Sequence, residues 1–335
     1  MKKSRLYIGY LAVLLLLVAI GGAIWRSTVL ASDSGAPAGY PAKPITIVVT
    51  FPPGGGTDLL ARKLGNALEK HWHTPVVVEN RPGASGNIGA RYVAESKADG
   101  YTLLMVNSSF AVNPGVYKEL GFDPKADFSP VINVAWIPSV VVVGQNSAAS
   151  TLEQALTPVG ANSNVAFASC GNGTPQHLAG EMLAERTGKA LLHVPYRGCG
   201  PAVADIASGQ VPMGIVTISS AMSFVQSDQL RPLAVTSPVR SPVMLTVPTV
   251  IETGVEGYEL DQWHGLLAPA GTPADIIDKL NKALVAILST EKMHDELESL
   301  GYTTARSTAG EFTAVIHKDI DRFSALTERI GLKMN

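Results

Sequence analysis

Two loops hold the residue types best suited to chemistry. The first is Phe51-Pro52-Pro53-Gly54-Gly55-Gly56-Thr57-Asp58. It follows an apolar, β-branched run at 45–50 and precedes Leu59, Leu60, Leu64 and Leu68 at near-helical spacing. Glycines let a backbone approach a ligand closely, and a helix start offers unpaired N–H groups at the positive end of a dipole. An anion site is the expectation; an ordinary glycine turn is the alternative. The second loop, Gly171-Asn172-Gly173-Thr174-Pro175-Gln176, repeats the design, with Thr174 and Pro175 as an N-cap and first-turn pair. Together the loops point to a carboxylate or similar anion held by backbone amides in a cleft. Hydroxyls at Thr57, Ser108, Ser109, Thr174, Thr217 and Ser219 add donors; each is alternatively a cap or turn residue. Asp58 reads as a helix-start carboxylate rather than a catalytic base.

Other chemistries find no support in the spacing. No Gly-Lys-Ser/Thr follows the first loop, and it lacks G-x-G-x-x-G, so phosphate and dinucleotide loops are excluded. Gly83-Ala84-Ser85-Gly86 is not G-x-S-x-G, so there is no nucleophile elbow. His71 and His73 do not share a helix face, and His177, His193, His264, His294 and His317 show no metal-ligand spacing. The expectation is no catalytic residue, no metal and no cofactor. Cys170 and Cys199 each sit in a loop after a strand, just ahead of a helix. Such loops share one edge of a parallel sheet, so a disulfide is expected, with two free thiols as the alternative.

The elements that must hold these loops alternate strand and helix. Strands are predicted at 45–50, 75–79 and 102–106, then, after a long apolar stretch at 131–143, at 164–168, 191–195, 213–218, 233–236 and 259–268. Helices at 274–289 and 292–300 follow. A capping box, Thr308 with Glu311, opens a last helix running to Ile330. This grammar implies an α/β fold with parallel pairing.

The chain has 335 residues, enough for two domains, and is 46% hydrophobic and 16% charged, which excludes a disordered protein. With 26 basic and 28 acidic residues and no basic block, it carries no electrostatic footprint for nucleic acid. Only the N-terminus is apolar over a spanning length: Lys2, Lys3 and Arg5 precede twenty uncharged residues at 6–25. Residues 1–31 are read as a secretory signal, with an uncleaved anchor as the alternative, and 32–41 as a linker. Cleavage there removes Lys2, Lys3, Arg5 and Arg26 and no acid, so the net charge falls from −2 to −6. An anionic ligand must then be caught locally.

Seven stretches in register resemble the Bug-type extracytoplasmic solute receptors of tripartite tricarboxylate transporters. They are YPAKPITIVVTFPPGGGTDLLAR, VVVENRPGASGNIGA, DGYTLLM, Asn113-Pro114, GTPQHLAGEML, HVPYRGCGPAVADIASGQV and WHGLLAPAGTP. The resemblance runs from about Tyr40 to the C-terminus. It implies a type II periplasmic-binding-protein fold: two α/β lobes joined by crossing strands near 140–143 and 261–267. Lobe 1 would comprise 42–142 and 261–335, and lobe 2 residues 143–260.

The resemblance also implies roles. Phe51, Pro53, Gly54, Gly55 and Thr57 would grip a ligand carboxylate, and Asp58 would stiffen their loop. Ser108 and Ser109 would line the same lobe. Gly173, Thr174, Gln176, Tyr196 and Arg197 would close from the other lobe. Arg197, where the family commonly has lysine, would pair a distal carboxylate, with a solvated loop cation as the alternative. Phe51, Tyr196 and Trp263 would wall the ligand's apolar part. Phe110 stands where the family often has histidine, and His264 where an aromatic residue commonly follows the tryptophan. The implied function is a monomeric periplasmic binding protein, without enzymatic activity, that presents a small carboxylate to membrane transporter subunits. An enzyme on the same fold and an anchored sensor are the alternatives.

Overall fold

The structure is a computed structural model and describes residues 39–158 and 164–333. The expected leader at 1–31, and residues 32–38 of the expected linker, lie outside the described residues.

Apolar, β-branched runs become the strands. β1 (Ile45–Val49), β2 (Val76–Asn80) and β3 (Thr102–Asn107) pair in parallel with β1 central. β4 (Phe128–Gly144), β5 (Val165–Ser169), β6 (Leu191–Pro195), β7 (Met213–Thr217), β8 (Leu230–Val235), β9 (Asp261–Pro269) and β10 (Thr303–Thr304) complete the sheet. Its order is β2-β1-β3-β9-β4-β7-β5-β6, with β8 and β10 also on β4. β5 pairs in parallel with β6 and β7, but every pairing of β4 and β9 is antiparallel. The wholly parallel expectation therefore holds for the two outer groups and fails along the middle.

β4 serves both lobes. Residues 128–138 pair with β9, while 139–144 pair with β7 and β8. The change of partner falls between Pro138 and Ser139. β9 lies wholly against β3 and β4, and the chain reaches it through Leu260, whose N–H donates to the Thr236 carbonyl at 3.0 Å.

Helices leave the C-terminal ends of the parallel strands: Gly56–Trp72 after β1, Ser109–Val116 after β3, Pro175–Thr187 after β5, Cys199–Ala207 after β6 and Ile218–Gln226 after β7. In such sheets ligands bind outside those strand ends. Leu60, Leu64 and Leu68 bury the inner stripe of Gly56–Trp72. Neither Ser109–Val116 nor Ile218–Gln226 has a side-chain cap to announce it, and the first also lacks an amphipathic stripe and holds Pro114 inside. The final helix, Ala309–Arg329, opens on the expected capping box, with the Thr308 and Glu311 side chains each satisfying the other's backbone N–H.

Candidate functional site

The first glycine loop is tied down from behind. Asp58 is buried, and its Oδ2 accepts the Gly54 N–H at 2.9 Å and the Arg62 Nε at 3.0 Å. Its Oδ1 accepts the Asn80 amide at 2.8 Å, and that amide also donates to the Phe51 carbonyl at 3.0 Å. Burial alone would raise the Asp58 pKa. The Arg62, Gly54 and Asn80 hydrogen bonds outweigh it and hold the carboxyl below its ordinary value. Two of the glycines are required for different reasons. Gly54 has φ 83°, a left-handed conformation that disfavours side chains. At Gly56 a Cβ would stand 2.6 Å from the Tyr302 hydroxyl and 2.8 Å from Ser219 Oγ.

Above this loop lies a cleft of about 260 Å³ between the lobes. Phe51, Pro53, Gly54, Gly55 and Thr57 line it from one lobe, and Thr174, Gln176, Arg197 and Thr217 from the other. Four helices begin at its wall: their N-caps are Gly55, Thr174, Gly198 and Thr217, and all four residues are lining residues. Each start leaves first-turn N–H groups without intrahelical acceptors. Arg197 is exposed and has no carboxylate partner among the described residues, and no Asp or Glu lines the cleft. The wall is thus positive through dipoles and one guanidinium. Arg197 also lines an adjoining compartment of about 480 Å³ with Tyr196, Ser85, Tyr117 and Asn172. There the lobes touch: Ser85 Oγ donates to the Asn172 carbonyl and accepts from the Tyr117 hydroxyl at 3.1 Å. Ala84 and Ser85 hold left-handed φ values of 46° and 52° to make this turn.

Several expected residues stand elsewhere. Trp263 is fully buried, edge-on to Phe312, with Nε1 donating to Asp319 at 2.8 Å, so it walls the core and not the cleft. Strand alternation is the reason: its neighbour His264 faces the other side and lines the cleft. Ser108 is also fully buried, and its Oγ accepts the Trp263 N–H at 3.3 Å. Ser109 and Phe110 border only an adjoining void of about 10 Å³, with Phe110 stacked on Phe122 and edge-on to Phe128. Gly173 is packed against Asn113 and Tyr117 and donates its N–H to His177 Nδ1 at 3.2 Å. Asp58 braces its loop from behind the cleft. Tyr196 borders the adjoining compartment, its hydroxyl donating to Asp205 at 2.7 Å. Sequence reasoning missed Asn107, the last residue of β3, because nothing in a strand's pattern marks which end meets a cleft. It also left His264 unassigned.

The second loop rests on a buried aromatic support. His177 and His193 stack with centroids 3.6 Å apart, and Ser169 Oγ lies 2.6 Å from His193 Nε2. Burial and the neighbouring His177 push the His193 pKa down to about 3. Ser169 is fully buried, and His193 is partly exposed. Cys170 and Cys199 form a disulfide, joining the second loop to the start of the Cys199–Ala207 helix. Among the described residues no cluster of His, Cys, Asp and Glu could hold a metal ion.

Comparison with known proteins gives these features a context. BugT of Bordetella pertussis is 35% identical over 298 residues, covering 88% of this chain and 91% of BugT. The structure of Rpa4515 from R. palustris with adipate superposes with a TM-score of 0.84 at 31% identity, over 88% of this chain and all of that one. MatC of Rhodopseudomonas palustris with bound malate gives a TM-score of 0.81 at 27% identity, over 86% of this chain and 99% of that one. Residues 60–332 match the model of the tripartite tricarboxylate transporter family receptor. That span includes the second loop, the disulfide and the shared strand β4, and on it the chain belongs to the family of tripartite tricarboxylate transporter receptors.

Proposed function

We propose that this receptor captures a small organic carboxylate in the cleft between its lobes and hands it to membrane transporter subunits without chemically altering it. One observation carries the reading: four helix N-termini and a cation without a carboxylate partner among the described residues converge on a cleft that, among those residues, no acidic side chain lines. A carboxylate satisfies first-turn N–H groups that otherwise need water. The adipate and malate of the two related structures are of this class. Among the described residues the one serine paired with a histidine, Ser169, is fully buried, which supports binding without hydrolysis.

In this reading Phe51, Pro53, Gly54, Gly55 and Thr57 receive one end of the ligand. Thr174, Gln176, Thr217 and Arg197 close on it from lobe 2 by a hinge at 138/139. The protein works as a monomer in the periplasm, released there by a leader at 1–31. Among the described residues no helix is long and apolar enough to cross a membrane. Titration calorimetry against mono-, di- and tricarboxylates tests the reading. Binding with one-to-one stoichiometry supports it, and a folded protein that binds none of the panel overturns it.

A further inference from the structure

Thr57 differs from the other hydroxyls of the cleft in what holds it. Its Oγ1 lies 3.3 Å from Asn107 Nδ2 and 3.2 Å from His264 Nε2, and it has no other protein partner. The Asn107 amide is oriented by its own Oδ1, which accepts the Ser109 N–H at 2.9 Å. Its Nδ2 therefore faces Thr57, and an amide nitrogen only donates. His264 is 1% exposed and its Nδ1 is buried without a partner. Burial pushes the imidazole pKa down to about 3, so the ring is neutral and carries one N–H.

That proton has two possible seats. On Nδ1 it would be a buried N–H with no acceptor, the rarest kind of unsatisfied group. On Nε2 it donates to Thr57 and leaves only a lone pair unused. The Nε2–H tautomer is thus the favoured one. Thr57 Oγ1 then accepts two hydrogen bonds, which fills both lone pairs. Among the described residues its own proton has no acceptor, and Thr57 lines the cleft. A freely rotating hydroxyl would greet a donor or an acceptor equally. This one offers only a donor.

We propose that Asn107 and His264 lock the Thr57 hydroxyl as a donor-only group, making His264 a positioning residue that selects ligands with an unprotonated acceptor at the glycine loop. The ligand side of this inference rests on the carboxylate reading; the hydrogen-bond lock itself does not. The selection works by exclusion. A carboxamide that turns its N–H₂ toward Thr57 meets a proton and no lone pair.

The test has two arms. Long-range ¹⁵N–¹H spectra of the ligand-free protein at pH 7, assigned by comparison with His264→Phe, report the tautomer directly. A protonated Nε2 and a bare Nδ1 on His264 are expected; an Nδ1–H tautomer overturns the proposal whatever the protein binds. The second arm takes the tightest carboxylate from the calorimetric panel together with its carboxamide. His264→Phe is expected to lower the carboxylate affinity about tenfold and to narrow the carboxylate-to-carboxamide ratio. His264→Gln places an amide N–H near the Nε2 position and is expected to restore both to within about threefold. A ratio unchanged in His264→Phe, or a loss that His264→Gln does not rescue, overturns the lock. If no carboxylate binds while the Nε2–H tautomer is found, the carboxylate reading fails and the lock stands.

Discussion

Among the described residues Arg197 is the only charged side chain on the cleft wall, and it stands in solvent without a carboxylate partner. An exposed ion pair contributes about 0.2–1 kcal/mol. Arg197→Gln is therefore expected to weaken a dicarboxylate about two- to fivefold and to flatten the salt dependence of binding, as calorimetry at two ionic strengths would read. An unchanged affinity would mean that no ligand charge reaches this position. Gly56 is the opposite case, since nothing there bears charge and space decides. A Cβ would stand 2.6 Å from the Tyr302 hydroxyl, so Gly56→Ala should cost about 1–3 kcal/mol in urea unfolding. A variant as stable as the parent would show that the loop yields. The glycines were legible in the sequence because a run of three has few uses. His264 and Trp263 were not: adjacent strand residues point to opposite faces, and only the register of β9 against β3, which pairs Asn107 with His264, says which of them meets the cleft.

At the scale of elements, the first loop depends on a carboxylate three places into its helix. Asp58 gathers Gly54, Arg62 and Asn80, and its pKa lies below the ordinary value in the folded state. For a depressed acid, the stabilisation is complete above the unfolded pKa and is lost as pH falls through the folded one. Asp58→Asn should cost about 1–3 kcal/mol at pH 7, and the gap from the parent should close below about pH 4. Denaturant titrations at both pH values check this; a gap that persists in acid would assign the loss to packing. The strand–loop–helix order around this loop followed from apolar runs and capping residues. The antiparallel roles of β4 and β9 did not. A continuous apolar run shows that a strand is buried on both faces, while the direction of its partners is set by residues far away in the chain.

Across the whole molecule, two features set the response to pH and to reduction. Asp261 sits where β9 begins, opposite Pro138, with an Oδ1 that has no partner. Burial, against a backbone hydrogen bond from Gln262 and reinforced by nearby Glu259, pushes its pKa up to about 6. A raised acid favours folding while protonated, and that advantage is lost as pH rises from about 4, its unfolded value, to about 6. Asp261→Asn should therefore raise stability at pH 7.5 by about 1–2 kcal/mol and leave it unchanged near pH 4. Equal melting shifts at both pH values would contradict this. The disulfide closes a loop of 29 residues, and in the chain-entropy model its loss costs about 3–4 kcal/mol. Cys170→Ser with Cys199→Ser, measured by urea unfolding, should show most of that loss; a stability within about 1 kcal/mol of the parent would contradict it.

The seventeen residues of β4 join both halves of the one sheet, the earlier part paired with β9 and the later part with β7 and β8. A chimera that exchanges one half of this receptor for the matching half of a relative must therefore cut through a strand buried in the shared core. Either cut leaves the sheet with a foreign junction in its middle. The loops at the strand ends carry no such debt to the far side. Ligand preference is therefore expected to move with the short turns after β1, β5, β6 and β7, provided Asn107 and His264 are matched behind the first, and not a lobe at a time.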